Sequence, residues 1–163
     1  MNLRAALVLA AMATLAGCAR TSAPRKPDPL RNAYDSEVDW NDSQRTIPLN
    51  YQQAQGKRIF YEQCVWCHAD STPAGPSNRS NLTPAPPLMN DGAALNGVSD
   101  ESLRNIITNG GSAAGKSAMM PPYGKALTPA EISAVVAYAR AIAVPPYTAP
   151  APGNPTESSR SGR

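Results

Sequence analysis

The sequence predicts an all-α protein: one small domain of about three helices plus loops, over residues 51–146 of 163, between two arms expected to be disordered. Three observations predict it. Apolar residues recur at helical spacing in three stretches, each with a start or stop signal. No alternating apolar and polar run of useful strand length interrupts them. The flanks, residues 18–50 and 147–163, are rich in proline and polar residues.

Asn50 is placed to cap the first helix. Beyond it Gly56, Ile59, Phe60, Gln63 and Cys64 share one face. A glycine inside a helix costs about 1 kcal/mol relative to alanine, so Gly56 predicts the close approach of another helix. Residues 71–87 read as loop throughout. The second helix starts near Ser99, with Asp100 and Glu101 favourably placed against the helix dipole. Leu103, Ile106 and Ile107 form its apolar stripe, and Asn109-Gly110-Gly111 ends it. The third is the clearest. Thr128-Pro129-Ala130-Glu131 joins a capping box to a proline at the first helical position. Ile132, Val135, Val136 and Ala139 share a face, and Pro145-Pro146 stops the helix.

In the N-terminal arm, residues 19–50 carry five basic and five acidic residues, which cancel. They read as a tether with a partly ordered second half, reaching on the order of 30 Å as a flexible coil. Tyr34, Val38 and Trp40 are the side chains there that could dock on a partner or on the domain. Before the tether, Arg4 and an almost wholly apolar run over residues 5–16 read as an export signal, residues 1–17, too short to span a bilayer.

The most informative residues are Cys64-Val65-Trp66-Cys67-His68. Two cysteines two residues apart, followed at once by histidine, are the attachment signature of a c-type haem. One helical turn sets two thiols at the separation of two porphyrin vinyl groups and puts His68 beneath the iron as an axial ligand. Other chemistries fit less well. A structural zinc site takes about four N or S ligands, and the chain has three cysteines and one histidine. A redox dithiol would follow a strand in a βαβ unit. The expected cofactor is therefore one haem c, covalently held through Cys64 and Cys67. It would also supply apolar surface to a domain that has few large apolar side chains and is marginal by size.

Leu15-Ala16-Gly17-Cys18 resembles the lipobox of bacterial lipoproteins. That resemblance implies cleavage before Cys18 and acylation of its thiol, which places the chain on a membrane outside the cytoplasm. Ala19, where an aspartate would retain such a protein in the inner membrane, is compatible with either membrane. All three cysteines are then used, with none left for a disulfide.

The order of motifs over residues 51–146 resembles the monohaem class I cytochrome c family. The first helix with Gly56 and Phe60, the haem motif, and the last helix with Val135 and Tyr138 carry the resemblance. In that family the first and last helices cross at the glycine, with an aromatic over it, which here implies Tyr138. A lone histidine excludes bis-histidine ligation within the chain, and methionine is the natural sixth ligand. Met1 and Met12 belong to the signal, leaving Met89, Met119 and Met120. Met120-Pro121-Pro122-Tyr123 resembles the family's distal-ligand loop, which implies Met120 as the iron ligand, with adjacent Met119 its rival. Pro86-Pro87-Leu88 resembles the family's proximal loop, where a proline carbonyl accepts from the haem histidine. Counting two residues back from the apolar position selects Pro86. Gly75-Pro76 stands earlier than the glycine–proline of that loop. Trp66 is a less usual residue between the two cysteines, suited to covering the haem edge or meeting a partner.

These readings imply a one-electron carrier rather than an enzyme, working between membrane redox complexes such as a quinol-oxidising complex, a terminal oxidase or a dehydrogenase. A fixed haem subunit of a larger complex is one alternative, and an open-site haem enzyme or gas sensor another. Seven basic and six acidic residues over 51–146 offer little electrostatic steering. No basic stripe or recognition motif supports nucleic-acid binding.

Overall fold

The computed structural model describes residues 35–72 and 74–149. The export signal, Cys18, Tyr34 and most of the C-terminal arm lie outside the described residues.

Two long helices form the frame. Helix α1, Tyr51–Gln63, starts at Asn50, whose side chain accepts from the Gln53 amide while the Gln53 side chain accepts from the Asn50 amide. The reciprocal pair satisfies two donors that a helix start leaves open. The last helix, Pro129–Ile142, starts on the equivalent Thr128–Glu131 box. The two cross at Gly56, where an added Cβ would overlap the Ala134 carbonyl and stand 2.9 Å from the Tyr138 Cβ. Tyr138 is fully buried, its ring 5.5 Å from that of Phe60. The glycine trades helix propensity for this approach.

The helices between them are short. Helix α2, Val65–His68, follows α1 after a break at Cys64, and α3 spans Gly92–Leu95. Helix α4, Asp100–Asn109, is capped by Ser99 and ends at Gly110, whose φ of 80° suits glycine. The last helix is therefore α5. Arg140 of α5 donates to Asp100 at 2.9 Å and to the Leu95 carbonyl at 2.7 Å, holding α3 and α4 against the frame. Its guanidinium also lies over the Tyr147 ring, 4.0 Å from the centroid.

The all-α expectation needs correcting in two places. Ser71–Thr72 and Gly75–Pro76 (β3 and β4) make a minimal antiparallel pair inside the expected loop. More consequentially, Ser36–Asp39 (β1) and Asp42–Pro48 (β2) form an antiparallel hairpin in the expected tether, pairing Ser36 with Pro48 and Val38 with Thr46. The usual alternation is inverted in β1, which hid it: Glu37 and Asp39 face inward and Val38 faces water. Glu37 is 5% exposed. Its carboxylate accepts from Tyr138 at 3.0 Å and Tyr61 at 3.1 Å, and pairs with Lys57 at 3.1 Å. Trp40 packs on Phe60 with centroids 5.7 Å apart. A buried acid is tolerable because every neighbour compensates its charge.

Candidate functional site: the Cys64–Cys67–His68 turn

The α1–α2 junction builds the site. Cys64 ends α1 with φ −120° and ψ −30°, which bends the chain and starts a new turn. The amides of Cys67 and His68 donate back to the Cys64 carbonyl at 3.1 and 3.0 Å. This closes a single turn that carries Cys64, Cys67 and His68. The thiols are free and half-buried. Burial, with the neighbouring Cys67, pushes the Cys64 thiol up to about 12, so it is held protonated.

His68 is fixed from behind. Its Nδ1 lies 2.8 Å from the Pro87 carbonyl oxygen. A carbonyl can only accept, so Nδ1 carries the hydrogen and Nε2 keeps its lone pair. Burial holds the imidazole pKa below its usual value, the Pro87 bond opposes this, and the Arg79 charge adds to it. The neutral ring is the form that binds a metal.

Here the choice of Pro86 is corrected. The Pro86 carbonyl accepts from Arg79 Nε at 2.8 Å, and Pro87 faces the histidine. Successive carbonyls of an extended chain point to opposite sides, so a one-residue error in register exchanges the two roles. The Met89 amide, donating to the His68 carbonyl at 2.9 Å, sets that register. Arg79 also pairs with Asp70 at 3.0 Å, anchoring the loop to the residue two beyond the histidine.

The three methionines separate. Met89 belongs to the buried core cluster. Met119 is 65% exposed, and Met120 is half-buried. The Met120 loop is tied to the end of α4: Gly111 N donates to the Met120 carbonyl at 3.0 Å, and Tyr123 N to the Ile107 carbonyl at 2.9 Å. The Tyr123 hydroxyl donates to the Gln63 carbonyl, next to Cys64, at 3.0 Å. Burial, then the two cysteines, push the Tyr123 phenol upward. Trp66 is 54% exposed.

These residues fit a haem. Protein atoms leave the α4 stripe of Leu103, Ile106 and Ile107 only half-buried, although the helix is strongly amphipathic. An apolar face lies open on the helix whose end carries the methionine loop, as a porphyrin plane would need. Among the described residues, no group of three or more His, Cys, Asp or Glu side chains gathers as a metal site.

Sequence reasoning missed Glu37, Arg79, Pro87 and Tyr123. Pro87 and Tyr123 stood inside recognised motifs, but no local signal marked their roles. Glu37 and Arg79 had none.

Residues 52–138, more than half of the chain, match the family described as cytochrome C oxidase, cbb3-type, subunit III. The chain belongs to this family of c-type cytochromes. A curated relative, the Cbb3-type cytochrome c oxidase subunit FixP of Bradyrhizobium sp. (strain ORS 278), is 30% identical over 92 residues. The alignment covers 56% of this chain and 28% of that protein, so the chain spans under a third of its relative's length. No solved structure matches the chain. The region matched by this cytochrome family starts in α1 and ends in α5 at Tyr138, enclosing the Cys64–His68 turn and the Met120 loop.

Proposed function

We propose that the chain is an electron-transfer protein with one haem c, bound covalently through Cys64 and Cys67 and ligated by His68 and Met120. When bound, haem c supplies a one-electron couple, its iron alternating between ferrous and ferric. The protein's part is to hold both axial donors still. Pro87 fixes the tautomer and direction of His68, and prolines 121 and 122 stiffen the segment after Met120. Small movement between oxidation states keeps reorganisation small. The observation that carries this reading is the closed turn at Cys64 with His68 presented as a neutral donor.

Membership of an oxidase-subunit family and the likeness to an oxidase subunit favour one setting over a freely moving carrier. The chain is proposed as a haem subunit or docked donor of a terminal oxidase, outside the cytoplasm, anchored through acylated Cys18. Co-purification with an oxidase after mild solubilisation supports this, and recovery only as a lone lipoprotein argues for the free carrier.

The visible spectrum tests the ligand set. A low-spin ferrous form and a methionine–iron charge-transfer band are expected. Met120→Ala should remove the band, give a high-spin iron and lower the potential, because the soft axial donor is lost. An unchanged spectrum reassigns the sixth ligand to Met119. A parent protein that is high-spin and binds carbon monoxide readily supports an open-site haem protein instead.

A further inference from the structure

The tyrosine after the methionine–proline segment has no part in the reading so far, yet its hydroxyl reaches across to the helix that carries the attachment turn. We propose that Tyr123 is a positioning residue: its hydrogen bond to the Gln63 carbonyl latches the Met120 loop to the attachment turn and keeps the methionine sulfur in place. The inference rests on Met120 as the sixth ligand.

The loop is joined at two places. Backbone bonds tie it to α4, through Gly111 to Met120, Tyr123 to Ile107 and Gly124 to Thr108, all between 2.9 and 3.0 Å. These fix the loop to the helix that would line the haem, and no side-chain substitution removes them. They do not tie it to α1, which ends in the attachment turn. The Tyr123 hydroxyl makes that connection, across 60 residues of sequence. Gln63 is the last residue of α1, and its carbonyl is among those a helix end leaves without an intrahelical partner. The phenol therefore satisfies an open acceptor immediately before Cys64.

A methionine sulfur is a weak, displaceable donor. Its retention depends on how often the loop swings away, and a latch lowers the population of that open state. Losing one hydrogen bond of ordinary net strength should raise that population about fivefold. An external ligand that competes for the sixth position reads it directly.

The experiment uses full-length holoprotein in the ferric state and titrates imidazole at neutral pH, following loss of the methionine–iron band. Tyr123→Phe is expected to keep the low-spin spectrum and to bind imidazole about fivefold more tightly. Tyr61→Phe is the control: it removes a tyrosine hydrogen bond of similar length, to Glu37 at 3.1 Å, remote from the loop in sequence. It should lower stability to denaturant but leave imidazole affinity unchanged. Equal affinity in parent and Tyr123→Phe overturns the latch, as does an equal rise in Tyr61→Phe, which would mark a general loss of stability. Met120→Ala separates the two levels of the argument. If the band survives in that variant, the ligand assignment has failed. If the band is lost there while Tyr123→Phe behaves as the parent, only the latch has failed.

Discussion

At the scale of single residues, the protein is organised by side chains whose state is set by what surrounds them. His68 is neutral and aimed because it is buried against a carbonyl. Tyr61 is a second case. Burial, then the Glu37 charge and its hydrogen bond, push its phenol up to about 12, whereas tyrosine in an unfolded chain titrates near 10. Above pH of about 10 the unfolded chain gives up this proton and the folded one does not, so folding loses stability as pH rises through about 12. Tyr138 shifts in the same direction for the same causes. Denaturant midpoints measured between pH 9 and 12 should therefore fall with pH, and Tyr61→Phe should make that fall shallower. An equally steep fall in the variant would place the titrating group elsewhere. At Gly56 the surroundings act by volume instead, since a carbonyl occupies the space of any side chain.

At the scale of elements, the capped helices were legible because their signals are local. Asn50, Ser99 and Thr128 stand where the sequence put them, and each accepts an amide of its own first turn. Helices α2 and α3 have four residues each, less than the two turns that periodicity needs to show itself. The β1–β2 hairpin was illegible for another reason: its inward residues are acids. Asp39 finds its partner Arg45 within the hairpin, but the burial of Glu37 depends on Lys57, Tyr61 and Tyr138, which a local reading of residues 36–48 does not include. Glu37→Ala should therefore do more than shorten a loop contact. It leaves a lysine and two phenols without their carboxylate, and should cost about 3 kcal/mol of unfolding free energy by urea titration. Val38→Ala, at an exposed position of the same strand, should stay within about 0.5 kcal/mol of the parent. Equal effects at both sites would mean that the hairpin does not dock through Glu37.

At the scale of the whole molecule, the hairpin makes the segment before the helices part of the haem domain's own frame. Glu37 joins it to α1 and α5 together. Chain arriving from the proposed anchor at Cys18 thus enters a fixed element rather than a free linker at Tyr51. Among the described residues no helix is long and apolar enough to cross a membrane. Cys18→Ser should shift the protein from the membrane to the soluble fraction on cell fractionation, with its haem spectrum intact. Retention on the membrane would assign the attachment to a partner or to another segment.

The sequence by itself determined the three capped helices, their caps, the crossing at Gly56 and the turn at Cys64–His68. All of these are written within a few residues of where they act, as spacing, capping chemistry or a missing side chain. Tertiary structure decided which proline serves His68, how the Met120 loop reaches α1, and that an acidic strand closes the back of the domain. Each depends on partners far apart in the chain: Glu37 meets Tyr138 across 101 residues and Tyr123 meets Gln63 across 60. A hydrogen bond at that separation leaves no periodic trace in composition. It exists only once helix packing has brought the donor and the acceptor to the same place.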